Sequence, residues 1–185
     1  MENTALKHRI PGFELMARYL ERTRSYSDLR LVVELTLVSF AMKIAVLVPA
    51  VLIIIIGSMF VDIPTDFLSS EKTSWDMSIG LLIFATLIAP PIETLFCQLL
   101  PIEIVQYFTS RLAWPIIISS ILFGLLHGGY AQKFSSFSIG LVLAWVYVIK
   151  RTEPGGKAFW LTVVVHALHN FIAFSLKAFI QAIDA

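Results

Sequence analysis

Charge is scarce in this sequence. Only 15% of its 185 residues are Asp, Glu, Lys or Arg, whereas soluble domains carry about 25%. Hydrophobic residues make up 57% of the chain and the mean hydropathy is +0.81. This balance excludes a soluble globular domain, and the abundance of apolar residues also excludes a disordered chain. What remains is an integral membrane protein.

Cysteine and an excess of positive charge are lacking as well. Cys97 is the one cysteine, which rules out an internal disulfide and a multi-cysteine metal cluster. The 14 basic and 13 acidic residues give a net charge of +1. No nucleic-acid partner is therefore expected, because no basic field is available to hold one.

Five apolar stretches predict membrane-spanning helices. A bilayer core about 30 Å thick requires about 20 mostly apolar residues per helix. The stretches lie at about 41–61, 77–102, 112–130, 134–149 and 158–177. Lys133 and Lys150 bound the short fourth stretch, and we expect both side chains to snorkel to the membrane surface. The expected fold class is an all-α, multi-spanning transmembrane helix bundle.

The residues before the first stretch are polar and basic. We expect residues 1–31 to be a cytoplasmic or interfacial segment, in which the apolar positions after Pro11 predict an amphipathic helix, and residues 32–185 to be the transmembrane domain. Lys and Arg accumulate on the side of the N-terminus, which predicts a cytoplasmic N-terminus, five passes and an external C-terminus. The expected location is the plasma or inner membrane.

Few ionisable or strongly polar groups lie deep within the predicted spans. Such groups cost several kcal/mol unless they are satisfied, so each marks a candidate functional site. They come from three separate spans: Glu93 from the second, His127 from the third, and His166, His169 and Asn170 from the fifth.

Local spacing gives each of these groups a neighbour. Pro90 and Pro91 precede Glu93 and predict a kink or break in the helix that frees backbone carbonyls. Thr94 and Gln98 lie four residues apart on one face, next to the face of Glu93. The other two spans contain similar pairs one helical turn apart: Phe123 with His127, and His166 with Asn170.

Together these groups suit the hydrolysis of an amide. A carboxylate or an imidazole is a general base for water, and imidazole and amide N–H groups can stabilise an oxyanion. Along straight helices, however, Glu93 and His166 fall nearer the cytoplasmic side and His127 nearer the outer side.

Other polar residues have structural interpretations. We expect His169 to form an interhelical hydrogen bond, and Cys97 to be a packing residue, since nothing nearby in the sequence would activate its thiol. The charges of Lys43, Glu103 and Lys177 lie near the ends of spans and are expected to be interfacial anchors.

The motifs resemble those of the CAAX protease and bacteriocin-processing family (Abi or CPBP), a family of intramembrane glutamic proteases. Its pattern is Glu-Glu-x-x-x-Arg, then Phe-x-x-x-His, then His-x-x-x-Asn, each on its own helix. Phe123 to His127 and His166 to Asn170 match the second and third motifs. The resemblance covers about residues 85–174, which includes Gly140 in a segment typical of the family.

The resemblance implies a role for each motif residue. Glu93, assisted by His127, would activate water, and His166 with Asn170 would form the oxyanion hole, while Phe123 lines the pocket. The substrate would be a membrane-embedded or lipidated, CAAX-like protein or peptide, and no metal or other cofactor is required.

The first motif departs from the family pattern. Thr94 replaces the second glutamate and Gln98 replaces the arginine. In the family these two residues resemble an ion pair that holds the first motif, so here a neutral Thr94–Gln98 pair would have to take its place. Two alternatives remain open. One is a non-catalytic membrane immunity or adaptor protein on the same fold, and the other is a zinc-dependent membrane peptidase, since two histidines and a carboxylate suit Zn²⁺ with an open position for water.

Overall fold

Five helices make up most of the part of the chain that the structure describes. The computed structural model describes residues 18–19, 21–60, 78–153 and 155–183. The first loop between spans and most of the predicted amphipathic helix after Pro11 lie outside these residues, and the described residues at the end of that helix, 18–19 and 21–24, are helical. The helices are α1 (Asp28–Ser58), α2 (Ile79–Phe108), α3 (Ala113–Leu125), α4 (Tyr130–Lys150) and α5 (Lys157–Ile183).

The predicted all-α fold is confirmed, but one of the five spans is too short. Helices α1, α2, α4 and α5 are long and apolar enough to cross a membrane. Helix α3 has 13 residues, or about 20 Å, which falls short of a bilayer core of about 30 Å. The third stretch, predicted as a span over 112–130, is thus wrong in length: the helix stops before the glycine pair at 128 and 129.

Consecutive helices run in alternating directions, and ion pairs join them at one end of the bundle. Lys157 Nζ at the start of α5 lies 2.9 Å from Asp28 at the start of α1. Arg151, just after α4, lies 3.0 Å from Glu103 near the end of α2. We call this the ion-paired end. Because α1 starts at Asp28, the domain boundary predicted between residues 31 and 32 falls within this helix.

Lys150 does not snorkel as predicted. Its side chain is 5% exposed and its Nζ lies 2.7 Å from Glu153 and 3.6 Å from Asp28. Snorkelling would have brought the Lys150 ammonium to the lipid headgroups. It is not needed here, because the two carboxylates lie close enough to neutralise the ammonium within the protein. Hydrogen bonds from Lys150 and Lys157 in turn hold the pKa of Glu153 below its ordinary value of 4.5. Glu103 is likewise bonded within the protein, to Tyr147 and Arg151.

Helix α4 is the centre of the bundle. Most of its length is buried, and it packs against α1, α3 and α5. Gly124 of α3 and Gly140 of α4 allow the closest approach, since an added Cβ at Gly124 would lie 2.9 Å from the carbonyl oxygen of Lys133. Small residues are typical of such contacts between membrane helices. This packing fixes the position of Phe123, whose Cβ would lie 3.1 Å from a Cβ at Gly140.

Helix α2 is continuous through the two prolines, so the predicted break is absent, and it contains two π-helical turns. They cover Phe84–Ile88 and Thr94–Leu99, on either side of the α-helical residues Ala89–Glu93. Proline has no N–H to donate, and π turns accommodate a lost hydrogen bond without interrupting the helix. The helix then continues to Phe108, six residues past the predicted end at 102.

Candidate active site

Glu93 and His166 lie next to each other inside the bundle. His166 Nε2 is 3.4 Å from Glu93 Oε2. The imidazole is buried, whereas the Glu93 side chain is 31% exposed. The carboxylate is therefore held by a buried imidazole on one side and remains accessible on another.

Phe123 connects His166 with His127. Its ring centroid lies 5.3 Å from that of His166 in an edge arrangement and 4.7 Å from that of His127. His127 Nδ1 is 2.7 Å from the carbonyl oxygen of Phe123. Because a carbonyl can only accept, Nδ1 carries the hydrogen and the neutral ring keeps its lone pair on Nε2. His127 is also near enough to Glu93 for their charges to interact.

These groups lie at one depth, so the predicted outer position of His127 is wrong. Glu93 lies fifteen residues from the end of α2 at Phe108, and His127 lies fourteen residues after Ala113, the start of α3, so both are about 20 Å from the ion-paired end at about 1.5 Å per residue. His166 lies beside them through its contacts with Glu93 and Phe123. The prediction failed because α2 continues to Phe108, which places Glu93 deeper than an end at residue 102 would.

Asn170 satisfies a backbone group that the prolines leave free. The Ala89 N–H bonds to the carbonyl of Phe84, five residues earlier. The next residue, Pro90, has no N–H for the carbonyl of Ala85. Asn170 Nδ2 donates to that carbonyl over 2.9 Å, so the freed carbonyl predicted from the sequence is present and is capped by α5. One amide hydrogen of Asn170 remains.

The predicted pair between Thr94 and Gln98 is wrong. Both side chains are fully buried, and neither Thr94 Oγ1 nor Gln98 Nε2 has a hydrogen-bond partner among the residues that the structure describes. Instead Gln98 Oε1 lies 3.0 Å from Ser119 Oγ of α3, and the Ser119 hydroxyl donates over 2.6 Å to the carbonyl of Cys97. The two residues lie in a π turn, where the spacing assumed for an α-helix does not hold.

The structural interpretations of His169 and Cys97 are confirmed. His169 Nδ1 on α5 lies 2.7 Å from Ser39 Oγ on α1. Since the Ser39 hydroxyl donates to the Thr36 carbonyl, His169 is the donor in this interhelical bond. Cys97 is buried in the hydrophobic core. Sequence reasoning missed Ser39 and Ser119, because a serine in a helix carries no signal of its partner.

The described residues do not offer a metal site. Within them, no group of three His, Cys, Asp or Glu side chains is arranged to hold a metal ion. The donor set expected for zinc, two histidines and Glu93, therefore does not have ligand geometry here.

Comparison with protein families shows which family the chain belongs to. Residues 75–172 match the family described as type II CAAX prenyl endopeptidase Rce1-like. This range includes all three motifs, and hence Glu93, His127, His166 and Asn170. Neither curated proteins nor solved structures gave a match. The match covers more than half of the chain and agrees with its apolar helices and with the resemblance of its motifs. The chain thus belongs to the Rce1-like family of type II CAAX prenyl endopeptidases, a family of membrane proteases.

Proposed function

We propose that this protein is an intramembrane glutamic endopeptidase that hydrolyses a peptide bond in a membrane-embedded or lipidated, CAAX-like protein or peptide. The observation that carries the proposal is the 3.4 Å contact between Glu93 and the buried His166. A carboxylate accessible on one side and flanked by imidazoles is suited to hold and deprotonate a water molecule.

In the proposed reaction, Glu93 with the help of His127 takes a proton from water. The water oxygen bonds to the carbonyl carbon of the scissile peptide, and the carbonyl π electrons move to its oxygen. The tetrahedral oxyanion then collapses, the C–N bond breaks, and the proton held by Glu93 passes to the leaving nitrogen. The products are a peptide with a new carboxyl terminus and a peptide with a new amino terminus.

His166 and Asn170 are the proposed oxyanion donors. His166 Nε2 bears a hydrogen when it donates toward the Glu93 carboxylate, and Asn170 keeps one amide hydrogen beyond the one used by Ala85. The removal of one such donor typically slows a reaction by about 100-fold to 1,000-fold. Both side chains come from α5, one turn apart, so one rigid element positions both donors.

The altered first motif is compatible with this proposal. An ion pair buried in the bundle would have to overcome a large desolvation cost. Here Ser119 of α3 donates over 2.6 Å to the Cys97 carbonyl and lies 3.0 Å from the neutral Gln98, and so connects α2 with α3 directly. This contact holds the segment after Glu93 without a charged partner.

Access to Glu93 is proposed to be lateral, from the lipid. Ile92 and Phe96, which flank Glu93 in the sequence, are 50% and 59% exposed. An apolar surface beside the carboxylate suits a substrate that is itself held in the bilayer. The ion-paired end is assigned to the cytoplasm, because Lys150, Arg151 and Lys157 lie there.

The test compares new protein termini in membranes from cells that express wild type, Glu93→Gln or His166→Ala at equal levels. We expect termini that occur only with the wild type, because removal of a general base slows a reaction by about 100-fold or more. Glu103→Gln is the control: it neutralises a carboxylate of the same helix at the ion-paired end, and should keep those termini.

Two results would redirect the proposal. If all samples have the same termini and Glu93→Gln keeps the biological phenotype, the protein is a non-catalytic immunity or adaptor protein. The proposed reaction uses no cofactor, so cleavage should persist after exhaustive treatment with a metal chelator. Loss of cleavage that stoichiometric zinc restores would establish the metal-dependent alternative.

A further inference from the structure

Lys43 places a positive charge at the depth of the candidate active site. It lies fifteen residues after Asp28, where α1 starts at the ion-paired end, which is about 22 Å along the helix. The sequence predicted an anchor at the edge of a span, but α1 is continuous through this point. None of the described residues forms an ion pair with Lys43. A lysine within an apolar helix is costly unless it meets an anion or water.

Two contacts and two helical steps connect Lys43 with Glu93. Ser39 precedes Lys43 by one turn and accepts the 2.7 Å hydrogen bond from His169. His169 in turn comes three residues after His166, which touches Glu93, on α5. Each of the two helical steps in this chain measures about 5–6 Å between Cβ atoms. Lys43 is also near enough to His169 for their charges to interact, so the ammonium lies one turn of α5 from the imidazole that touches Glu93.

Helix α1 leaves the bundle at this position. Leu31, Val32 and Leu35 are buried, and Met42 still packs against the core. Beyond Lys43 most of the large apolar side chains are exposed, from Ile44 at 61% to Ile56 at 56%, and none of those described is buried. Lys43 therefore lies where α1 passes from its buried part to its more exposed part.

We infer that the Lys43 ammonium binds a carboxylate of the peptide whose scissile bond lies at Glu93. The inference rests on the proposed function. Ammonium and carboxylate form a strong, charge-assisted hydrogen bond when both are removed from water. A CAAX sequence ends three residues after its lipidated cysteine, and three extended residues span about 10 Å. The carboxylate is either this free C-terminus or an acidic side chain near it.

The test is a binding measurement with three fluorescent farnesylated peptides. The first ends in a free carboxylate, the second has the same sequence with a C-terminal amide, and the third is the amide with Asp as its last residue. The protein is held in phosphatidylcholine nanodiscs and carries Glu93→Gln, so that cleavage does not consume the peptide. Kd is measured by fluorescence anisotropy for this parent and for the parent with Lys43→Met, Lys43→Arg or Lys177→Met.

We expect the parent to bind the free acid about tenfold more tightly than the amide, because one charge-assisted bond is worth at least about a factor of ten. Lys43→Met should abolish this preference, and Lys43→Arg should keep it. Lys177→Met is the control, a lysine of α5 further from His169, and should also keep it. Tight binding of the Asp peptide would mean that any carboxylate near the end of the peptide suffices. Weak binding of the Asp peptide would mean that the terminal carboxylate itself is needed.

The inference is overturned if the parent binds acid and amide equally, if it binds neither, or if the preference survives Lys43→Met. Its failure is distinguishable from that of the proposed function. Cleavage by the chain with Glu93 intact, without a preference for the acid, refutes only the role of Lys43. A Lys43-dependent preference without any cleavage refutes only the peptidase.

Discussion

Replacement of Asn170 by alanine should leave the carbonyl oxygen of Ala85 without a partner. The Asn170 amide donates to this oxygen over 2.9 Å, and the proline at position 90 cannot replace it. An unsatisfied buried polar group costs about 1–3 kcal/mol, while hydrogen bonds between membrane helices average about 0.6 kcal/mol and reach about 1.7. We therefore expect Asn170→Ala to lower the free energy of unfolding by about 1–2 kcal/mol.

A second substitution isolates the cause of this loss. Pro90→Ala restores a backbone N–H beside the Ala85 carbonyl, so Asn170→Ala should cost much less in that background. The coupling between the two sites should be at least about 0.5 kcal/mol. The assay is reversible unfolding of the four proteins in mixed micelles, with helicity measured by circular dichroism. Equal costs of Asn170→Ala in both backgrounds would refute the structural role of this amide.

The same four proteins separate structure from chemistry. If Asn170 also stabilises an oxyanion, Pro90→Ala should restore the stability of Asn170→Ala but not its peptidase rate. A double variant that recovers both would show that Asn170 acts only through the helix that it caps.

Three further predictions concern packing, a buried hydrogen bond and pH. Gly124→Ala should push α3 away from α4 and destabilise the protein by about 1–3 kcal/mol, whereas Gly128→Ala, with nothing within 4 Å of the added Cβ, should cost little in the same unfolding assay. Ser39→Ala and His169→Ala should each lower the free energy of unfolding by about 1 kcal/mol. If the hydrogen bond between the two residues is the cause, the double variant should lose less than the sum of the two single losses, and strict additivity would contradict this role of the bond. Because the pKa of Glu153 is lowered from 4.5, its contribution to stability is complete above about pH 4.5 and is lost as the pH falls through the folded-state pKa. The stability difference between wild type and Glu153→Gln should therefore shrink from pH 5 to pH 3, and a constant difference would rule out these ion pairs as its source.

Residue types and spacing were enough to predict the parts of the site. Polar groups are so unfavourable in apolar helices that Glu93, His127 and His166 could be selected by depth alone, and the structure places these three in one cluster. The alternating direction of the helices could be predicted from the number of apolar stretches. The roles of Glu93, His127 and His166 in a reaction are predictions that the assays above test.

The failures came from assumptions about helix geometry and charge. Apolar length overestimated α3, because the predicted span included Leu126 to Tyr130, and the helix ends at Leu125 before the glycine pair at 128 and 129. The pair between Thr94 and Gln98 assumed an α-helix where the chain forms a π turn. For Lys150, the sequence shows a cation at the end of a stretch, but not the Asp28 carboxylate that folding brings to it. Contacts between residues distant in sequence leave no local pattern.

The two π turns of α2 also determine which neighbours this helix can touch. Each π turn holds about one residue more than an α turn, so each shifts the angular register of the residues beyond it by about 100°. The two shifts together turn the faces before and after Glu93 to nearly opposite sides. One helix can thus contact α5 along residues 84–99 and α3 along residues 94–108. Deletion of a single residue in either turn would rotate Glu93 away from one of these neighbours, even though no side chain of the site had been changed.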